Sequence, residues 1–286
     1  MNESPEAAAE SDLVVEGART SAAQPRLDGP IRVPARHNAA LQEVVRLVNA
    51  DAELQAVWKC ANVNAVDRLG MSDHGPVHVQ IVANIALKLL RMLLDAGQEP
   101  SIVRHHGLTV QDAEVVVVLG ALLHDVGIAV HRAEHEHHSL WVAAPFLREL
   151  LRQVYPDPQA RMAVWSDTLH AIICHNRDQR PITLEAGVVR VADALDMTRG
   201  RSRIPFEAGQ INIHSVSAYA IDRVTLTRGE TRPICITVAM SNSAGIFQVD
   251  ELLKAKLRNS GLEPYIEVIA TIESESERRL IPLFRL

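Results

Sequence analysis

Aromatic side chains are scarce in this chain: Phe, Trp and Tyr make up 3% of its 286 residues. Leu, Val, Ile and Ala must therefore fill the core. That composition suits packed helices better than a β-sandwich, whose strands favour β-branched and aromatic residues. Cysteine is equally thin. Cys60, Cys174 and Cys235 are scattered and form no CxxC pair, which argues against a disulfide framework or a thiolate zinc site. No unbroken apolar run reaches the roughly 18 residues that span a bilayer. Met1 to Glu10 is acidic and lacks the basic start and apolar core of a signal peptide, so a soluble cytoplasmic protein is expected. Positive charge is in deficit. The formal net charge is −6, so no global field draws the chain to nucleic acid or an anionic membrane. Attraction for a phosphorylated ligand has to be local.

What the chain has is apolar bulk. Hydrophobic residues make up 47% of it, enough for one large domain or a medium domain plus a small one. Residues 1–36 mix Ala, Ser, Glu, Gly and Pro without a sustained period and are expected to form a disordered arm. From 37 to 205 the helical period dominates. Leu41, Val44, Val45 and Val48 mark one helix; a second starts near Pro76 and stops at Gly97. A polar loop with His105 and His106 then leads into the apolar run Val115 to Leu123. Further helices are expected over Glu134 to Val154, Ala160 to His175 and Leu184 to Met197. From 206 to 286 the pattern changes. Ile211 and Ile213 alternate with polar residues, and Ala220 to Thr227, Ile234 to Ala239, Ile266 to Ile272 and Leu280 to Phe284 read as strands. Phe247 to Leu257 reads as a helix. The expected fold is mainly α: a helical bundle followed by a small α+β domain.

The chemistry-bearing residues cluster between His74 and Asp196. His74 and His78 share a helical face, and Ile81 and Ile85 carry that face inward at His78. A histidine aimed into an apolar core needs partners for both ring nitrogens; a metal ion is one, a backbone carbonyl another. The doublet His124–Asp125 ends the apolar run. Burying an ionised carboxylate without compensation costs several kcal/mol or more, so a cation there is favoured, and Gly127 supplies the helix break that lets both side chains reach it. The negative end of a helix dipole explains His124 but leaves Asp125 unfavourable. His131, His135, His137 and His138 offer imidazoles on and before the next helix, either as a solvated polar face or with one ligand among them. His170 and His175 follow, and Asp193 interrupts Val-Val-Arg-Val-Ala-Asp-Ala-Leu with apolar neighbours at helical spacing.

This order of residues resembles the HD superfamily of metal-dependent phosphohydrolases: a helical His, a His-Asp doublet, optional further histidines and a late helical Asp. Here these are His78 in His-Gly-Pro-Val-His-Val-Gln-Ile-Val, Leu-Leu-His-Asp-Val-Gly, and Asp193 in Arg-Val-Ala-Asp-Ala-Leu-Asp, over roughly residues 70–203. The segment His175 to Arg199 is also similar to the bacterial members that split diadenosine tetraphosphate. The resemblance implies one divalent metal on His78, His124, Asp125 and Asp193. It implies a second bridged by Asp125 and held by His138 and His175, where dinuclear members place theirs. Imidazole and carboxylate ligands suit Mn, Fe, Co, Mg or Zn. Many dinuclear members carry a phosphate-steadying Lys where this chain has Ile128.

The function implied is hydrolysis of a phosphoester or phosphoanhydride bond, with a phosphorylated small molecule, a nucleotide, as partner. Asp125, Arg132 and Arg199 are the expected catalytic residues. Arg177, Arg199, Arg201 and Arg203 are the expected phosphate contacts; a solvated helix end explains an arginine run equally well. A homodimer is expected, and no membrane. Two other classes stay open: a nucleotide-binding sensor with a weakly active site, which Ile128 favours, and a nuclease, which the acidic balance disfavours.

Overall fold

The computed structural model describes residues 13–16, 29–198, 213–272 and 283–285. The helical part opens at Asn38, whose side chain accepts from the Leu41 N–H at 2.9 Å. Helix α1 (Ala39–Ala50) buries Leu41, Val44 and Val48. Asp51 caps α2 (Ala52–Asn62) by accepting from the Glu53 and Leu54 N–H groups. Helix α2 is not among the helices expected from the sequence, yet its Trp58 is fully buried and donates to the Leu122 carbonyl at 2.9 Å. As expected, α3 (Pro76–Asp95) takes proline in its first turn and stops before Gly97 at φ 78°. Among the described residues it is the one helix long and apolar enough to cross a bilayer. Its apolar residues from Val79 to Leu93 lie largely in the protein core.

Helices α4 (Ser101–His106), α5 (Val110–Leu123), α6 (His135–Val154), α7 (Pro158–Cys174) and α8 (Leu184–Leu195) complete the bundle. Packing centres on α5, every residue of which is buried from Ala113 to Leu123. Its four consecutive valines are modest helix formers, costing well under about 1 kcal/mol each. Fully burying each side chain returns about 1.5 kcal/mol or more, and α1, α3, α7 and α8 all cover this helix. Burial therefore wins over propensity. Gly120 permits the closest of these approaches: a Cβ there would lie 3.0 Å from Ala171 Cβ and 3.2 Å from a Val189 methyl.

The C-terminal part holds α9 (Ile213–Tyr219) and a sheet of β1 (Leu13–Glu16), β2 (Ile221–Arg228), β3 (Ile234–Met240), β4 (Ile266–Ile272) and β5 (Leu283–Arg285) in that spatial order. β3 and β4 are parallel, the other neighbours antiparallel. A parallel pair needs a crossover. Here the crossover contains a π-helical turn, Gln248–Leu253, and α10 (Lys254–Leu257). It packs on α8 so closely that a Cβ at Gly187 would lie 2.3 Å from the Ser260 carbonyl oxygen. A helical bundle followed by a small α+β region is the architecture the sequence led us to expect.

Four local expectations are corrected. Leu13–Glu16, assigned to the disordered arm, pair with β2 from Leu13↔Leu226 to Glu16↔Arg223; a short apolar triplet against an open edge is invisible in an averaged composition. Ile31 and Ala35, from the same arm, are buried, and the Ile31 backbone exchanges two hydrogen bonds with the Asn49 side chain. The polar loop around His105 and His106 is helical, because the Glu185 carboxylate accepts from the Ser101 and Ile102 N–H groups and Ile102 is buried. The strand expected at Ile211 and Ile213 gives way to α9, where Ser217 accepts from Gln248 Nε2 at 2.8 Å. Two alternating residues are too few to fix a period. Ile211 itself lies outside the described residues, as do Leu280 to Pro282.

Arg190 joins the two parts. It is 1% exposed, and its guanidinium donates to the carbonyls of Gln179 and Arg177 at 2.8 Å, Ala255 at 3.3 Å and Arg258 at 3.4 Å. An apolar replacement strands those acceptors, each buried unpaired group costing about 1 kcal/mol or more. Arg190→Leu is expected to lower unfolding free energy by about 2–4 kcal/mol, read as a shift in the urea midpoint at unchanged slope.

Candidate metal centre

Five helices aim imidazoles and carboxylates at one point. His78 stands in the first turn of α3, His124 follows the last residue of α5, and Asp125 comes next, where the chain leaves α5 for the short 3-10 turn Val126–Ala129. His135 opens α6, His175 caps the C-terminus of α7, and Asp193 lies in the last turn of α8. His78, His124, Asp125, His135, His175 and Asp193 are all buried.

The donors divide into two groups. In the first, His78 Nε2 and His124 Nε2 are 3.2 Å apart, and Asp125 Oδ2 lies 3.3 and 3.1 Å from them. Asp193 Oδ1 lies 3.4 and 3.6 Å from the same two nitrogens. In the second, Asp125 Oδ1 is 3.0 Å from His135 Nε2 and 3.7 Å from His175 Nε2, and the two nitrogens are 3.1 Å apart. Asp125 thus gives one oxygen to each group.

The far side of each ring explains why the near side wants a cation. His124 Nδ1 lies 2.7 Å from the Ala121 carbonyl and His175 Nδ1 2.6 Å from that of Ile172. A carbonyl only accepts, so both Nδ1 atoms carry the proton and Nε2 presents a lone pair to the cluster. His78 Nδ1 is held in the same way by Asp196 Oδ2 at 2.6 Å. Nε2 lone pairs about 3 Å apart repel unless a proton or a metal ion stands among them. Donors about 2.1 Å from a shared ion are themselves about 3.0–3.4 Å apart, which is the spacing found for every pair named but His124–Asp193 and His175–Asp125, slightly wider at 3.6 and 3.7 Å. The donor set fits divalent metal.

Electrostatics agree. Burial pushes the Asp125 carboxyl up, but the imidazoles of His124, His135 and His78 beside it outweigh this and hold it well below the usual range. Asp193 is likewise well below its ordinary value, burial being overcome by Lys256 and by His124 and His78. Burial lowers His135, but Asp125 and Glu136 pull it up to about 9. Burial and the neighbouring His124 and His135 bring His175 down to about 3. The acids are ionised and demand positive charge.

Not every expected ligand arrives. His138 Nδ1 faces the His131 carbonyl at 3.4 Å and its ring packs beside Trp141; His135 takes the place expected of it. The reason is the buried stripe His135, Ser139, Ala143, Leu147 and Leu151, which turns His138 off the core face. Ser139 Oγ donates to the His124 carbonyl and accepts from the Gly127 N–H. A Cβ at Gly127 would lie 2.1 Å from the His135 carbonyl oxygen, so Gly127 is what lets α6 bring His135 to Asp125. Arg132 and Arg177 line the adjoining cavity of about 700 Å³, and Arg132 Nη1 is 2.8 Å from His135 Nδ1. Arg199, Arg201 and Arg203 lie outside the described residues. Two contributors went unread. Asp196 repeats the Asp193 face three residues on, a usable signal. Lys256, whose ammonium pairs with Asp193 Oδ2, carries none.

Residues 77–198 match the HD domain family. The chain is 44% identical over 217 residues to Uncharacterized protein MJ1020 of Methanocaldococcus jannaschii, covering 76% of this chain and 83% of that one. It is 26% identical over 200 residues to Ribonuclease Y of Opitutus terrae, covering 68% and 35%. To Ribonuclease Y of Desulforamulus reducens it is 29% identical over 178 residues, covering 58% and 30%. The chain thus spans only 35% or less of these two ribonucleases' own length. No solved structure matches.

Two outcomes test the geometry. His135→Ala is expected to lose metal while His138→Ala retains the wild-type content, read by elemental analysis of the folded proteins. A proton must also leave His135 before its Nε2 binds a cation. Because His135 is raised to about 9, metal affinity should strengthen as pH rises toward that value, by up to roughly tenfold per unit for one displaced proton, and level off above it. Calorimetric titrations across pH would register this.

Proposed function

Because the chain belongs to the HD superfamily, we propose that it is a metal-dependent phosphohydrolase cleaving a phosphoester or phosphoanhydride bond of a nucleotide-sized ligand. The observation that carries this reading is one buried carboxylate, Asp125, turning an oxygen toward each of the two imidazole groups at the floor of a cavity. His78, His124, Asp125 and Asp193 would hold one divalent ion, and Asp125, His135 and His175 a second. Mn, Fe, Co, Mg and Zn are the metals such nitrogen and oxygen donors accept. When bound there, these ions supply Lewis acidity toward phosphoryl oxygens and lower the pKa of water.

The chain's own residues do the rest. Asp196 and the Ala121 and Ile172 carbonyls fix the imidazole tautomers, so Nε2 of His78, His124 and His175 stays aimed inward. Arg132 and Arg177, both on the cavity wall, offer guanidinium forks to phosphate oxygens. Phosphoryl transfer asks chiefly for positioning and positive charge of this kind. Met71, Met197 and Leu252 add apolar wall, fitting a ligand with a nucleoside-like portion. A volume of about 700 Å³ is that of a small-molecule site.

A second reading is RNA phosphodiester cleavage, favoured by relatives named Ribonuclease Y. The net charge of −6 speaks against tight binding to a polyanion. A third, a sensor that binds a nucleotide and turns it over poorly, draws on Ile128 standing where many relatives of the dinuclear type carry Lys.

One panel separates them. Mn-loaded protein is offered deoxynucleoside triphosphates, guanosine tetraphosphate, cyclic dinucleotides, diadenosine tetraphosphate and a short single-stranded RNA, with product release and thermal stabilisation both measured. Turnover of a small nucleotide is expected, and the double variant His124→Ala/Asp125→Ala should reduce kcat by about 1000-fold or more. Full activity in that variant, shown to be folded, refutes the mechanism.

A further inference from the structure

In the turn after the doublet, Ile128 has no exposed surface and packs with Ala61 and Ala65, so that position brings no cation to the cavity. Another wall of the cavity does. Gln248, Glu251, Leu252, Ala255 and Lys256, all from the β3–β4 crossover, line it together with the metal cluster. Lys256 Nζ pairs with Asp193 Oδ2, whereas Oδ1 is the oxygen that faces His78 and His124. Asp193 is therefore divided as Asp125 is, one oxygen for the imidazoles and one for another partner. The ammonium and a metal ion need not compete for the same atom. An ammonium has three N–H donors, the pair with Asp193 uses one, and the Lys256 side chain is 22% exposed.

The position of Lys256 is fixed by the fold. Arg190 lies on α8 one turn before Asp193, so both side chains leave the same side of that helix. Arg190 donates to the carbonyls of Ala255 and Arg258, on either side of Lys256, while its other bonds hold Arg177 and Gln179. The backbone on which Lys256 sits is anchored to the helix that carries its carboxylate partner.

We infer that Lys256 is a substrate-binding residue: its ammonium, seated at the Asp193 end of the cluster, takes a non-bridging oxygen of the ligand's phosphoryl group. The C-terminal part thereby completes the site with a cation that the doublet turn lacks. This rests on the phosphohydrolase reading, since it requires a phosphoryl group at the cluster.

Inorganic phosphate, titrated calorimetrically into the Mn-loaded full chain at fixed salt, serves as the probe. Lys256→Gln is expected to keep the wild-type Mn content and to bind phosphate about tenfold more weakly, as for loss of one charged hydrogen bond. Lys256→Arg should recover most of the affinity. Lys254→Gln, which removes a nearby lysine paired with Asp250, should bind as wild type. Unchanged phosphate affinity in Lys256→Gln overturns the inference, as does an equal loss in Lys254→Gln, which would make the effect one of bulk charge. Loss of Mn in Lys256→Gln also overturns it, because Lys256 would then serve only to support Asp193. If the Mn-loaded wild type fails to bind phosphate at all, the phosphohydrolase reading falls and the inference with it.

Discussion

A carboxylate buried among imidazoles is the constraint to which this molecule is fitted. Asp125 is 3% exposed, and taking such a charge out of water costs several kcal/mol unless positive charge repays it. The chain surrounds it with His78 and His124 on one oxygen and His135 and His175 on the other, a donor set that a shared proton or divalent ion completes. None of these four comes from the same helix as another, save that His124 adjoins Asp125 itself. Convergence of so many elements within about 4 Å is possible only if the helices are locked in register. The continuous apolar packing around α5 supplies that locking.

Small residues set how close the convergence is. Gly120 lets α7 and α8 draw in against α5, and Gly127 lets the start of α6 lie on the turn that follows Asp125. The first brings the ends of α7 and α8, with His175 and Asp193, alongside the end of α5. The second brings His135. A methyl group at either place would meet backbone or packed side chain at 3.2 Å or less, so the glycines act on the cluster without touching it. Packing in protein interiors leaves little slack for a shift of that size.

How much of this was legible depended on whether the signal lay along the chain or across it. Helices α3, α5, α6, α7 and α8 announced themselves by period, proline and glycine. His78, His124, Asp125 and Asp193 stand out in the sequence because each lies within or at the end of an apolar stretch where a polar group needs a reason to be, whereas His175 stands out only through the resemblance to the HD pattern. The stripe 135, 139, 143, 147 and 151 runs through the sequence, so the core face of α6 is legible there and points to His135 rather than to His138, which the family pattern suggests. Trp58 and the capping Asp51 likewise marked α2. By contrast, the strand Leu13–Glu16 exists only through pairing with residues more than 200 positions away. Lys256 reaches Asp193 across 63 positions. Contacts of that kind are products of the fold, and no local pattern encodes them.

One helix then ties the parts together. Along α8 and its C-cap, Arg190, Asp193 and Asp196 recur every third residue, each a surface neighbour of the next. Asp196 orients His78, Asp193 faces both His78 and Lys256, and Arg190 anchors the backbone around Lys256 and the loop of Arg177. A displacement of α8 would therefore change the imidazole cluster, the ammonium beside it and the guanidinium on the cavity wall at the same time. That coupling gives the C-terminal part a physical reason to be attached to the bundle: through Arg190 and Asp193 it rests on the same helix that carries Asp193 and Asp196 to the candidate metal centre, so neither part can move there without the other.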